Sequence, residues 1–228
     1  ELIVAAYYPQ IFPKTLLEIP RLGAINAHPG DLPNYRGTFA IPWSILNGEK
    51  NITSTLHYID AGVDSGDVIA KKSFAIQPDE TGFELYQRAM HFSAQLVMDS
   101  FPDFVAGKLG RQPQVGHGSY FNQLPKRYHI DWHQKCELLQ RQVRVHAKPY
   151  LPTYCFLINH CIYINRISIL TNSESSAHGS GVITKVYPDK RFAVACADGW
   201  VVVEDYEMAP GFDNSLFPLY FTVGARLD

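Results

Sequence analysis

What this chain lacks narrows it first. No apolar run approaches the ~18 residues that read as a membrane-spanning helix, so no membrane partner is expected, and no secretory signal opens the sequence. A basic excess is missing as well. Twenty Lys and Arg stand against 22 Asp and Glu, for a formal net charge of −2. Nucleic-acid binders gather Lys and Arg into patches, and the stretch "PKRYH" at 125–129 is too short to make one, so no nucleic-acid partner is expected. Cysteine is scarce: the four residues Cys136, Cys155, Cys161 and Cys196 form no C-x-x-C pair. No second pair of His or Cys completes a zinc ligand set, so no metal is expected. We read all four as buried apolar thiols, which fits a reducing cytoplasm. There is no G-x-S-x-G elbow to supply a serine nucleophile, and no repeat of 20 to 50 residues. The opening "ELIVAAYYPQIF" has no Met and runs straight into a β-type stretch, so it reads as the interior of a domain.

What is present is globular composition, 46% hydrophobic over 228 residues, long enough for one large or two small domains. The nearly continuous apolar run Leu2–Tyr7 predicts a strand buried on both faces. "GAIN" predicts a second strand, followed by the irregular loop "HPGDLPNYRG". "FAIPWSILNGE" predicts a short helix with Pro42 near its first turn and Gly48 past its end. "ITSTLHYID" alternates like a strand and meets the turn-rich "AGVDSGD". Thr81 and Glu84 form a capping-box pattern ahead of a helix that Gly107 would stop. Its Phe83, Tyr86, Met90, Ala94, Val97, Phe101 and Phe104 follow helical spacing, as a core-facing stripe does. The region after Gly110 reads as a linker. A helix capped by Asp131 and alternating strands follow, with turns at "PDK" and "ADG", as in a small antiparallel barrel. "TNSESSAHGSG" at 171–181 reads as a mobile polar loop. The domain boundaries implied are 1–118, a linker at 119–130, and a helix with a barrel at 131–228.

Asn26, His28 and Asp64 each follow a predicted strand, so an open α/β sheet would place them on one edge, where ligands bind. An imidazole beside a carboxylate can act as a base near neutral pH. An Asn N–H can donate to a developing oxyanion. Together they suit attack on a carbonyl without a covalent enzyme intermediate. On spacing alone, Asn26 and His28 are as readily caps or turn residues, Asp64 a turn residue before Ser65 and Gly66, and His57 a sheet residue.

The stretch "INAHPGDLPNYRGTFAIPWSILNGEKNITSTLHYIDAGVDSGDVIA", Ile25–Ala70, resembles the signature of the folate-dependent formyltransferases. Those enzymes carry Asn-x-His-Pro, a Leu-Pro-x-Tyr-Arg-Gly loop, a Thr-x-His-x-(Ile/Met)-Asp strand and an Asp-(Thr/Ser)-Gly turn. Weaker resemblance reaches the end through "GKLGRQPQ", "GSYF" and "IDW". The resemblance implies a Rossmann-like α/β core followed by a small OB-like antiparallel β-barrel domain. It implies Asn26, His28 and Asp64 as a catalytic triad and N10-formyltetrahydrofolate as the formyl donor. The donor would be held near Tyr8, Ile11, Asp60, Ala61 and Gly62, and the acceptor near Arg36 and Gly37. Where the family has Ser-Leu after His-Pro, this chain has Gly30-Asp31, and Asp31 is a candidate to receive an amine. The family places βα units ahead of the strand matching Leu2–Tyr7. At about 30 residues per unit, roughly 60 to 80 residues are expected either to be absent from this chain or to come from a partner.

From Asp131 onward there is no Lys and Arg excess of the kind a tRNA-binding barrel needs, and Glu204, Asp205 and Glu207 add acidity. We therefore expect a nucleotide-linked amino sugar as acceptor, as in lipopolysaccharide O-antigen building. Methionyl-tRNA formylation, or a non-catalytic binding module, stand as alternatives. A homodimer is compatible with either half of the chain.

Overall fold

The structure is a computed structural model that describes residues 1–8, 10–124, 128–170 and 179–228. The expected mobile loop at 171–181 falls largely outside them, as does most of "PKR". The chain divides into two compact units, one comprising residues 1–80 and 84–125, the other 81–83 and 126–228.

The first unit carries a four-stranded mixed sheet in the order β1-β2-β3-β4. Its strands are β1 (Ile3–Ala6), β2 (Ala24–His28), β3 (Asn51–Tyr58) and β4 (Val68–Ala75). β1 and β2 run parallel, whereas β3 is antiparallel to both β2 and β4. The expectation of a first strand buried on both faces is not met. β1 is a sheet edge in which only Ala5 is buried and Val4 is exposed, since among the described residues it pairs on one side only. Between the strands lie the single turn α1 (Lys14–Leu17) and α2 (Ala40–Leu46), which buries Ala40, Ile41, Ser44 and Ile45. Pro42 sits inside the first turn of α2 and Gly48 just past its end at φ 74°, the proline-early, glycine-late asymmetry expected of a helix.

The helix α3 (Gly82–Val105) begins directly after Thr81 and ends before Gly107, which takes the left-handed φ of 70° that a helix stop requires. Alternation along β2 and β3 then decides which residues meet it. Ile25, Ala27 and Leu56 share a cluster with Ile69 and with Leu96 and Phe104 of α3. Burying each large apolar side chain contributes about 1.5–3 kcal/mol. Because side chains alternate, Asn26, His28, Thr55 and His57 must occupy the opposite face. That leaves a polar face anchored by an apolar one.

The second unit holds α4 (Cys136–His146) and an antiparallel sheet in the order β5-β6-β9-β8-β7. These strands are β5 (Thr153–Leu157), β6 (His160–Leu170), β7 (Ile183–Val186), β8 (Phe192–Cys196) and β9 (Gly199–Met208). A short 3₁₀ turn (Asn214–Leu216) leads into α5 (Phe217–Tyr220). The core joins Leu139 and Val143 of α4 to Ile162, Ile164, Phe192, Val194, Val201 and Val203. Among the described residues the expected barrel is not closed: five strands form an open sheet. The segment 225–228 spans the two edges with isolated bridges, Leu227 to Leu157 of β5 and Arg226 to Val182 beside β7.

Two local expectations are corrected here. Asp131 does not cap α4; it accepts from the His133 N–H and the Gln134 side chain one turn earlier. The Cys136 N–H at the helix start is instead taken by Asp198 Oδ1 at 2.8 Å. Nor are all four cysteines thiols. Cys136 and Cys196 form a disulfide across 60 residues of chain, while Cys155 and Cys161 are free. Folding brings the first turn of α4 onto the end of β8, a meeting that spacing does not encode. Among the described residues, the one group gathering three potential metal ligands is Cys136, Cys196 and Asp198, and its sulfurs are bonded to each other.

Candidate active site

Asn26 and His57 are direct cross-strand partners, as are His28 and Thr55. Cβ atoms in such pairs stand about 4.5–5.5 Å apart, so four polar side chains form a compact square on one face of β2 and β3. Asp64 arrives differently from the expectation. Because β3 is antiparallel to β2, its C-terminal end lies beside the start of β2 rather than beside His28. The loop 59–67 folds back, and the Asp64 carboxylate reaches three partners. Oδ2 accepts the Gly37 N–H at 2.8 Å and lies 3.5 Å from His28 Nδ1, while Oδ1 lies 3.6 Å from His57 Nε2. Asp64 holds a left-handed φ of 51°. A non-glycine residue there stores strain of order 1–3 kcal/mol, which persists only when the surroundings over-determine it.

The hydrogen bonds assign the protons. Tyr35 C=O can only accept, and His28 Nε2 lies 2.6 Å from it, so Nε2 carries the hydrogen. His28 Nδ1 is then a lone pair directed toward the Asp64 carboxylate. Tyr35 C=O therefore sets the tautomer, and Asp64 waits for a proton to arrive at Nδ1. His57 Nδ1 donates to the Tyr58 carbonyl at 2.7 Å, leaving Nε2 to accept from Asn26 Nδ2 at 3.2 Å. Asn26 keeps a second N–H for another partner.

Burial holds His28 below its ordinary pKa, outweighing the opposite pulls of Asp64 and the Tyr35 bond. The ring is thus neutral, able to take a proton. Burial by itself would raise Asp64, but a hydrogen bond from His57 in its doubly protonated form, the charge of a protonated His28 and the Gly37 N–H more than offset it and bring the carboxyl down to about 2. The resulting pair is a neutral base beside a permanent carboxylate. A proton taken at Nδ1 would leave both imidazolium N–H groups facing oxygen acceptors.

The loop carrying Tyr35 is held from below by neighbours on β3 and β4. Thr55 donates to Gly30 C=O at 2.7 Å, and Lys71, its register partner, donates to Leu32 C=O at 2.5 Å and pairs with Asp31 at 2.7 Å. Asp31, the candidate amine receiver, is therefore ion-paired. A Cβ on Gly30 would lie 2.3 Å from Tyr35 O and 2.5 Å from His28 Nε2. Only glycine lets the carbonyl approach the imidazole in this geometry.

Residues 1–100 match the family model described as formyl transferase, and residues 124–211 match that of the formyl transferase C-terminal domain. A methionyl-tRNA formyltransferase of Ruminiclostridium cellulolyticum is 32% identical over 217 residues, covering 94% of this chain and 68% of that protein. The chain belongs to the formyltransferase family. It spans about two thirds of the length of the curated relatives it matches, from 64% to 68% of the first three. Formyltransferase structures share the fold. The N-formyltransferase of Helicobacter canadensis, solved with folinic acid and dTDP-3-aminofucose, aligns with TM-score 0.66 and 22% identity, covering 80% of this chain and 66% of that one. The sugar 3N-formyltransferase WlaRD, solved in the presence of dTDP and 5-N-formyl-THF, aligns with TM-score 0.71 and 20% identity, covering 92% and 73%.

Of the site residues expected from the sequence, Asn26, His28 and Asp64 are brought together, and Gly37 joins them through its N–H. Arg36 is 7% exposed, and its guanidinium donates to Gln114 Oε1 from Nε and Nη2 and to Tyr120 from Nη1. At most two of its five N–H groups remain for an acceptor. Tyr8 and Ile11 lie exposed on the loop after β1, with Tyr8 stacked on Phe12. Asp60, Ala61 and Gly62 are exposed on the loop that carries Asp64, where Asp60 Oδ1 accepts from Gly62 N–H and Ser65 Oγ. No hydrogen bond or ring contact among the described residues links Tyr8 or Ile11 to the Asn26–His28–Asp64 cluster.

The sequence assigned no role to Gln114 and suggested a sheet residue at His57. For His57 the signal was available, since Asn-x-His and Thr-x-His on adjoining strands put their polar positions on one face. Gln114 closes the stretch "GKLGRQPQ" that carries part of the family resemblance, but nothing periodic in it singles that residue out.

Proposed function

We propose that this chain transfers the formyl group of N10-formyltetrahydrofolate to the amine of a nucleotide-linked amino sugar. The carrying observation is the cluster of half-buried Asn26 and Asp64 around buried His28 in a chain of the formyltransferase family. The residues fit the donor's chemistry: an amide N–H for a formyl oxygen, a neutral imidazole for a proton, and a fixed carboxylate behind it. The acceptor amine attacks the formyl carbon, and Asn26 donates its remaining N–H to the oxygen as negative charge collects there, an effect typically worth about 3–4 kcal/mol. The proton lost by the amine goes to His28 Nδ1, where Asp64 stabilises the imidazolium. The carbon–N10 bond then breaks, N10 takes up the proton held by His28, which returns to its neutral form, and the oxygen returns to a carbonyl. Tyr8, Ile11 and the exposed 60–62 loop are proposed to line the donor's ring system, within a Rossmann-like core.

An amino sugar is favoured over tRNA because residues 131–228 hold nine Lys and Arg against ten Asp and Glu, no basis for phosphate-driven tRNA binding. The two fold neighbours solved with dTDP, one of them as dTDP-3-aminofucose, support the same choice. The resemblance to methionyl-tRNA formyltransferases supports the rival acceptor. A cytoplasmic location belongs to this reading as well, although the Cys136–Cys196 bond removes the argument from thiols. Mass spectrometry after incubation with N10-formyltetrahydrofolate, with nucleotide-linked 3- and 4-amino sugars and methionyl-tRNA in parallel, tests it. A single formyl mass on one sugar is expected; formylation of the tRNA alone would overturn the acceptor, and no transfer to any amine would overturn the activity.

A further inference from the structure

The stretch 111–117 is exposed except at Gln114. Gln114 Nε2 donates to Asp64 C=O at 2.9 Å and to Gly66 C=O at 2.7 Å. Its Oε1 accepts from Arg36 Nε at 3.1 Å and Nη2 at 2.6 Å. Both N–H groups and both acceptor sites of the amide are thereby occupied. The orientation is chemically forced, since carbonyls only accept and a guanidinium only donates. Residues on either side of Gln114 follow the same course. Gln112 exchanges backbone hydrogen bonds with Val68, just beyond the Asp64 turn. Ser119 and Phe121 bind the backbone of Tyr35, Arg36 and Phe39. Residues 112–121 thus form a strap along both loops that supply the site.

We infer that Gln114 is a positioning residue for formyl transfer, tying the left-handed Asp64 turn to the Arg36 loop so that the carboxylate faces His28; this rests on the proposed transfer reaction. It acts through the backbone of Asp64 and touches no reacting atom. Two of its links converge on one geometry. The Asp64 turn, which strain would otherwise relax, is held by its own carbonyl. The Arg36 loop brings the Gly37 N–H to Asp64 Oδ2 and the Tyr35 carbonyl to His28 Nε2. Releasing the amide frees each loop to drift from the other, and a drift near 1 Å is enough to cost about 100-fold in rate.

Two variants separate the halves of the amide. Gln114→Glu keeps an acceptor for Arg36 but loses both N–H donors and sets a carboxylate against two carbonyls. Gln114→Leu removes both. Each is expected to lower kcat about 100-fold, with KM for N10-formyltetrahydrofolate within threefold and an unfolding midpoint near wild type. The His28 ring signals in NMR, assigned by their loss in His28→Ala, are expected to move in both variants, while those of His146 in the other unit stay put. Wild-type kcat in Gln114→Glu would overturn the inference, as would a kcat loss that tracks global destabilisation or His28 signals that do not move. Should wild type consume no donor with any acceptor, the transfer reading fails separately. The NMR arm then decides the positioning alone: moved His28 signals uphold it and unmoved ones overturn it.

Discussion

Strand β8 buries Phe192, Ala193, Val194, Ala195 and Cys196, whose side chains are apolar apart from a sulfur held in a disulfide. The equally buried stretch of β3 from Thr53 to His57 holds Thr53, Ser54, Thr55 and His57. An unpaired polar group in that setting costs about 1–3 kcal/mol, and β3 avoids it group by group. Thr53 bonds Ser73, Ser54 bonds Ser93, Thr55 bonds Gly30 and His57 bonds Tyr58. One sheet is built for cohesion. The other gives up apolar contact to hold chemistry in place. Left-handed backbone does not tell them apart, since Tyr35 and Asp64 in the loops of the first are matched by Ile158 and Lys190 in the turns of the second.

The comparison breaks most visibly at His28. His28→Ala and Asp64→Asn should each lower kcat by about 10²–10⁴-fold, the usual scale for a general acid–base group, while calorimetry shows acceptor binding nearly unchanged. Equal loss of binding and turnover would remove both from the chemistry. In the other sheet the large effect should be on stability. Phe192→Ala is expected to cost the C-terminal unit about 3–5 kcal/mol in denaturant unfolding, with the His28 NMR signals unaltered. A smaller change follows from reducing Cys136–Cys196. Opening a 60-residue loop should lower stability by up to about 4 kcal/mol on the chain-entropy account, read as a fall in Tm with dithiothreitol. The least effect is acid linkage. Asp64 sits at about 2 in the fold against an ordinary 3.8, so its contribution of roughly 2 kcal/mol is present above pH 3.8 and lost as pH falls toward 2. His28, held below 6.5, works in the same direction, since the unfolded chain binds its proton first as pH falls. Unfolding curves between pH 2 and 4 should be flatter for Asp64→Asn than for wild type; parallel curves would deny the linkage.

Much of this was legible in the residues because alternation is a local property. The helix itself, its stop at Gly107 and the polar positions of β2 and β3 follow from spacing of a few residues. The buried face of that helix does not follow the expected stripe: Met90, Ala94 and Phe101 are exposed, and Leu85, Ala89 and Leu96 are buried beside Phe104. Strand direction is not local. The idea that Asn26, His28 and Asp64 share one sheet edge reached the right grouping through the wrong geometry, because nothing in "ITSTLHYID" says that it pairs antiparallel with "GAIN". Closure of a barrel, the Cys136–Cys196 bond and the capping of α4 by Asp198 all depend on contacts between distant segments. Gln114 illustrates the same limit in the site itself: its importance lies in two loops that are 50 and 78 residues away.

The facing of Asn26 and His57 has a further consequence, for the reliability of folding. Side chains on a strand follow parity, odd to one face and even to the other. A slip of β2 against its neighbours by one residue would invert that parity throughout. Asn26 and His28 would enter the layer beneath α3 with no partners, and Ile25 and Ala27 would surface where the chemistry belongs. Each misplaced polar group would carry its own desolvation penalty. The catalytic residues therefore serve as a checksum on the sheet: a copy that folds in the wrong register is costly to form and also silent as a catalyst.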